Sequence, residues 1–269
     1  MRLFVAGLRK LVRRPATWVT FGLLVGLLAL IYIAVGATAR QQTTGNGGRA
    51  ALLLLTFPGA YSLLLSFILG LGGLFAMIYG AAIAGSEWTW GTLKAAVARG
   101  ESRSRYQLLS FASIAVMVGI GMLIAFAIGI VVAIVSAGLA QVPTDGVGDA
   151  ATIGTFPELF ARGWLALAEA TALGFAIATI ARSQLAGIGV GIGVYFGEQF
   201  ASIFLPDIVK YLPFNAATAV VATSSSLGGG GGATVARLSP DTALVVVAAW
   251  LIGALVVSAL FTERAEISG

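Results

Sequence analysis

Residues Tyr106–Thr144 read YQLLSFASIAVMVGIGMLIAFAIGIVVAIVSAGLAQVPT, 39 positions without an Asp, Glu, Lys or Arg. A bilayer crossing needs about 20 predominantly apolar residues. Apolar side chains run around every helical face here, with no period-2 alternation, so this is a buried helix and not a barrel strand. Three more uncharged runs flank it: Pro15–Ala39, Ala50–Ser86 and Thr242–Thr262. Over the whole chain 58% of residues are hydrophobic and 10% are charged, against about 25% charged in soluble domains. So few charges cannot cover a soluble surface, and the chain reads as a polytopic α-helical membrane protein.

Six spans are expected, near Thr17–Ala39, Gly59–Ala84, Leu108–Leu139, Gly163–Ala181, Leu185–Phe204 and Thr242–Phe261. Pro58-Gly59 marks the start of the second. The third exceeds one crossing, which predicts tilt or projection beyond the bilayer. With the N-terminus inside, cytoplasmic segments hold 11 of the 16 Lys and Arg residues and four acids, a net +7. The positive-inside rule therefore puts both termini in the cytoplasm.

Residues 1–15 form a separate unit ahead of the membrane domain 16–269. Phe4, Val5, Leu8, Leu11 and Val12 share one helical face, and Arg2, Arg9, Lys10 and Arg13 the other. Such a helix lies on an anionic leaflet, and Pro15 ends it. A secretory signal would also start basic and apolar, with Ala37-Thr38-Ala39 as its cleavage site. The apolar stretch is long for that purpose.

Cysteine and histidine are absent. That excludes disulfides, Cys/His zinc sites, thiol nucleophiles and histidine acid–base catalysis. A Ser/Lys dyad would need a lysine within a span. No Gly-x-x-x-x-Gly-Lys-Ser/Thr loop occurs, and Gly228–Gly232 reads as a flexible linker. No basic, aromatic-interleaved patch suggests nucleic acid. The chain is not expected to be an enzyme by itself, nor to bind a cofactor or metal.

The most informative soluble piece is the loop 85–106. Ser86 is expected to cap a helix, with Glu87 in its first turn and Gly100 as its stop. Trp88, Thr92 and Ala95 or Ala96 would then share a face. A short, aromatic-rich helix held between two spans suits docking of a soluble partner; an interfacial aromatic anchor is the alternative reading.

Glu87-Trp-Thr-Trp-Gly91-Thr92-Leu93-Lys94, followed by Gly100-Glu-Ser-Arg103, resembles the first cytoplasmic loop of ABC-2 type transporter permeases. The likeness extends to the basic amphipathic opening, six spans, the short inner turn Ala181-Arg182-Ser183, a proline-containing outer segment 205–240 and a charged tail. The third span departs from the family in opening uncharged, Gln107–Phe111, where lysine is often found. The resemblance implies a prokaryotic cytoplasmic-membrane subunit that works with a separate ATPase, which would hold ATP and magnesium. It implies a second permease copy or a homologous permease as partner, and export of a hydrophobic or cationic substrate such as a drug, antimicrobial peptide or lipid. Glu87, Trp88, Gly91, Thr92, Lys94 and Arg103 become the coupling positions. Glu87 would tie the loop to the opening helix or to the ATPase, and Gly91 would permit close approach. An ATP-independent carrier, channel or assembly subunit of a larger membrane complex is the alternative.

Two acids fall within spans, Glu169 and Glu198, both expected in the outer half. Intramembrane acids suggest a pathway or gate, with Arg162 or Lys210 as partner. Gly189, Gly193 and Gly197 form a small-x-x-x-small stripe for helix packing or a subunit interface, with Gly22 and Gly26 a possible matching surface. Short re-entrant helices are expected in 205–240.

Overall fold

The computed structural model describes residues 2–39, 52, 54–221 and 238–264. The glycine run, part of the outer segment and the end of the charged tail lie outside these. The described chain is all α-helix apart from turns and one 3-10 turn, Asp145–Gly148. The helices are α1 Arg2–Val12, α2 Pro15–Ala39, α3 Gly59–Thr89, α4 Thr92–Ala98, α5 Arg103–Ala140, α6 Ala150–Ala181, α7 Gln184–Ala201, α8 Pro206–Val209, α9 Pro213–Ala219 and α10 Pro240–Arg264.

Five of these are long and apolar enough to cross a membrane: α2, α3, α5, α6 and α10. The remaining expected span, the fifth, corresponds to α7, which has only 18 residues. Its glycines, Gln184, Glu198 and Gln199 dilute its hydropathy below that of the other five. At 1.5 Å per residue α5 reaches about 57 Å and α6 about 48 Å, well beyond a hydrocarbon core of about 30 Å.

Burial sorts the helices. Within the most apolar stretches, 61% of α3 and 67% of α6 is buried, against 17% of α2 and of α10. The bundle is therefore built on the α3–α6 pair, with α2 and α10 outside it. Glycines let the two backbones meet: a Cβ at Gly174 would lie 2.0 Å from the Met77 carbonyl oxygen, and one at Gly80 2.2 Å from that of Thr171. Neither position admits a side chain unless the helices separate.

Span four begins earlier than the sequence predicts. Asp149 caps α6, accepting from the Thr152 amide (3.1 Å) and hydroxyl (2.7 Å). The helix runs through Pro157, which forfeits one backbone bond. Residues 150–157, expected as loop, are thus helical.

Gly174→Leu should destabilise the bundle by about 1–3 kcal/mol, because its side chain must push α3 off α6. Gly26→Leu, which opens onto free space, should leave stability unchanged. Thermal unfolding of the two purified variants in one detergent measures the difference.

Candidate functional site

The loop 85–106 is organised by one carboxylate. α3 does not stop at Ser86 but continues to Thr89, so Glu87 occupies the last turn of a long helix and not the first turn of a loop helix. The Ser86 hydroxyl donates to the Ile83 carbonyl (2.7 Å) and so is not free to cap a following helix. Glu87 is 6% exposed. Its Oε1 accepts from Lys10 Nζ at 2.5 Å, and its Oε2 from the Tyr106 hydroxyl at 2.6 Å and from Thr92 Oγ1. One side chain therefore joins α1, α3, α4 and α5. A buried carboxylate survives only when its charge is paired and its oxygens are satisfied, and both conditions hold here.

Lys10 corrects the reading of the opening helix. Sequence places it on the lipid-facing basic side; the structure turns it inward onto Glu87. α1 also docks on α5, where the Ser113 hydroxyl donates to the Phe4 carbonyl (3.2 Å) and Gly7 faces Ser113.

Trp90 and Gly91 break the chain between α3 and α4. Gly91 has φ +64°, the left-handed region open to glycine, and a Cβ there would meet nothing within 4 Å of this chain. Within the chain its role is therefore the turn, not the close approach expected from sequence. Because of that break, Trp88 and Thr92 lie on separate helices and share no face. Gly100, with φ +87°, ends α4 as expected: its amide donates to Val97 (2.9 Å) and that of Glu101 to Ala96 (3.3 Å).

Arginines hold both tryptophans. The Arg182 guanidinium lies 5.3 Å from the Trp88 ring and 5.8 Å from that of Phe261, and Arg14 lies 4.8 Å from Trp90. Arg14 also donates to Ser86 Oγ (2.8 Å). Arg103 donates to the Glu263 carbonyl at 3.1 Å, at the negative end of α10. Short α4 turns Leu93 and Ala96 inward and leaves Lys94, Ala95, Ala98 and Arg99 exposed, beside a Trp90 that is 65% exposed.

Glu87 makes the expected tie to the opening helix, through Lys10, but the individual residues Lys10, Arg14, Tyr106 and Arg182 were not legible in the sequence as members of this centre. Lys10 and Arg14 come from the start of the chain, Arg182 from the turn between α6 and α7, and Tyr106 from the far end of the loop itself; no local spacing links the first three to Glu87. Gln107 was singled out only as uncharged. It is buried and donates to Thr179 Oγ1 (3.3 Å) and to Ser258 Oγ, tying α5 to α6 and α10. A lysine at that position would bury a charge.

Glu169 and Glu198 occupy different surroundings. Glu169 is fully buried, and neither carboxyl oxygen has a hydrogen-bond partner among the described residues. Because α6 starts at Ala150, Glu169 lies 19 residues from its start and 12 from its end, deeper than a span beginning at Gly163 implies. Glu198 Oε2 accepts from the amides of Phe214 (3.1 Å) and Asn215 (3.2 Å) and from Asn215 Nδ2 (3.1 Å). It thereby fixes the first turn of α9. Neither expected cation partners these acids. Arg162 pairs with Glu158 (2.8 Å) and Asp241 (2.9 Å), and Lys210 with Asp207 (3.2 Å). Each has an acid within one helical turn and does not reach the bundle interior.

The α7 glycines divide into two faces. Gly187 packs on Ala178 and Gly191 on Met77, while Cβ atoms at Gly189, Gly193 and Gly197 would meet nothing within 4 Å. The expected stripe thus points away from its own chain, as do Gly22 and Gly26. Among the described residues no group of three His, Cys, Asp or Glu side chains is arranged to hold a metal ion. No family model and no curated protein matches the chain.

Tyr106→Phe removes a charge-assisted hydrogen bond from Glu87 and should cost about 1.5–3 kcal/mol. Thr89→Val, nearby on an exposed turn, should cost less than about 0.5 kcal/mol. Denaturation of each variant monitored by tryptophan fluorescence checks both values.

Proposed function

We propose that this chain is the membrane half of an ATP-driven ABC-2 type exporter, worked from the cytoplasm by a separate ATPase subunit. The observation that carries this reading is the loop 85–106. Its motif resembles the family's, and its short helix α4 exposes Lys94, flanked by exposed Trp90 and Arg99, while Glu87 fixes its base to three other helices. A knob so anchored can pass force into the bundle, whereas an aromatic anchor needs no such cross-linking.

In this reading α7 is the fifth of six spans, and α8 and α9 are re-entrant elements on the outer side. Both termini are cytoplasmic, and the membrane is the prokaryotic cytoplasmic one. ATP and magnesium belong to the ATPase. α1 lies on the inner leaflet, and α4 is the coupling helix that enters a groove of the ATPase. Closure of the ATPase dimer pushes α4, and Glu87 shares the push between α3 and α5. α3 passes it to α6 through the glycine contact at Met77 and Thr171. A second permease copy docks on the outward stripe Gly189, Gly193, Gly197. Glu169 and Glu198 stand beside the pathway: Glu198 by holding α9 over the bundle, Glu169 as an acid without a hydrogen-bond partner among the described residues, buried until the pathway opens to a hydrophobic or cationic substrate.

The test is isolation of the intact complex from native membranes. An ATPase should be recovered in equal number to the permease, two of each per particle. Reversal of the exposed charges, Lys94→Glu with Arg99→Glu, should lower its recovery at least about tenfold, since opposed like charges cost several kcal/mol. A chain recovered without any nucleotide-hydrolysing partner contradicts the proposal and favours an ATP-independent carrier or channel.

A further inference from the structure

An apolar groove of about 760 Å³, counting its open mouth, runs between α2, α3 and α5. On α3 it extends from Ile68 to Tyr79, about 16 Å at 1.5 Å per residue. Half of a hydrocarbon core is about 15 Å, so the groove has the length of one leaflet's acyl chain. Trp18, Ile120 and Ile124 border it and are 58%, 44% and 45% exposed, so it opens sideways, away from the protein.

Its two ends differ. One is closed by apolar side chains of α3 and α6, Ile68 and Leu167. The other is polar, with Thr17 and Tyr79 sharing a hydrogen bond of 2.9 Å. One helical turn beyond Thr17 lies the α1–α2 junction, with Arg13 exposed and Arg9 exposed on the preceding turn. Neither of these arginines belongs to the Glu87 centre. The Trp18 indole donates to the Val12 carbonyl (2.8 Å), holding its ring at this end, where amphipathic rings settle at headgroup depth.

We infer that this groove binds one anionic phospholipid, its acyl chain between α2, α3 and α5 and its headgroup on Arg9 and Arg13. The length, the sideways opening and a single cationic end select this occupant. A neutral lipid has no use for the arginines. A chain held here also braces the thinly buried α2 against the rest of the bundle. The inference is independent of the transport reading: it needs neither an ATPase nor a second permease.

The test uses the full chain in phosphatidylcholine vesicles with spin-labelled phosphatidylglycerol or spin-labelled phosphatidylcholine, and reads the immobilised lipid fraction. The parent chain should hold phosphatidylglycerol in preference, and Arg13→Gln should cut that preference about fivefold. Gly121→Leu, whose Cβ would point at Phe21 across the groove at 3.9 Å, should abolish the tightly held fraction. Ile120→Trp closes the exposed mouth without touching the core and should do the same if the leucine variant does not fold. Equal retention of the two lipids would mean that a neutral tail or another helix fills the groove, and would overturn the inference. Retention of phosphatidylglycerol undiminished in a folded blocking variant would overturn it too.

Discussion

The buried carboxylate of Glu87 is the constraint on which the rest of this molecule is arranged. An anion so enclosed needs a cation and two oxygens' worth of donors. They come from Lys10, Thr92 and Tyr106, on three different helices. Meeting that need pins α1 to the bundle, fixes the return of the chain after α3 and sets where α5 starts. The tryptophan–arginine contacts then attach the surrounding surface: Arg14 on Trp90, and Arg182 bridging Trp88 and Phe261. In the proposed function these contacts are what would carry a push on α4 across the Trp90-Gly91 turn to α3.

From α3 onward the connection is steric contact. Gly80 and Gly174 bring the backbones of α3 and α6 too close for a side chain to fit between them. α6 carries Glu169, and Phe214, whose amide donates to Glu198, shares a small core with Met77 and Ala170. The Glu87 centre and the two acids are thus joined by rigid contacts through one helix pair. The lightly packed α2 stands outside this line, and the apolar groove opens beside it.

Much of this was legible in the sequence. Uncharged runs locate four of the five long helices, α2, α3, α5 and α10, because hydrocarbon tolerates so few alternatives; α6 carries Glu158, Arg162 and Glu169 and lies in none of them. Gly100 announces the end of α4, and the alternation of basic and apolar side chains gives α1. What was hidden depends on tertiary proximity. Nothing near Lys10 says that it turns inward, since a basic residue on an amphipathic helix has an equally good place among lipid headgroups. Ser86-Glu87 looks like a helix start because capping is judged locally, yet the apolar helix before it had no reason to stop. The early start of α6, ahead of the expected Gly163, rests on the Asp149 cap, and the helix continues through Pro157. For α7 the sequence reads as a span, while its glycines and terminal polar residues leave it less apolar than the other five.

The direct measurement of the central claim is the distance between spin labels on α1 and α4 in the intact membrane complex. The chain has no native cysteine, so Arg9→Cys with Arg99→Cys places the labels without background. The account predicts one narrow distance, unchanged between nucleotide-free and ATP-bound states, because the Glu87 centre moves as a unit. With Glu87→Gln added, the distribution should broaden. A distance that shifts with ATP in the parent chain, or one that stays narrow after Glu87→Gln, contradicts the claim that this carboxylate holds the lever together.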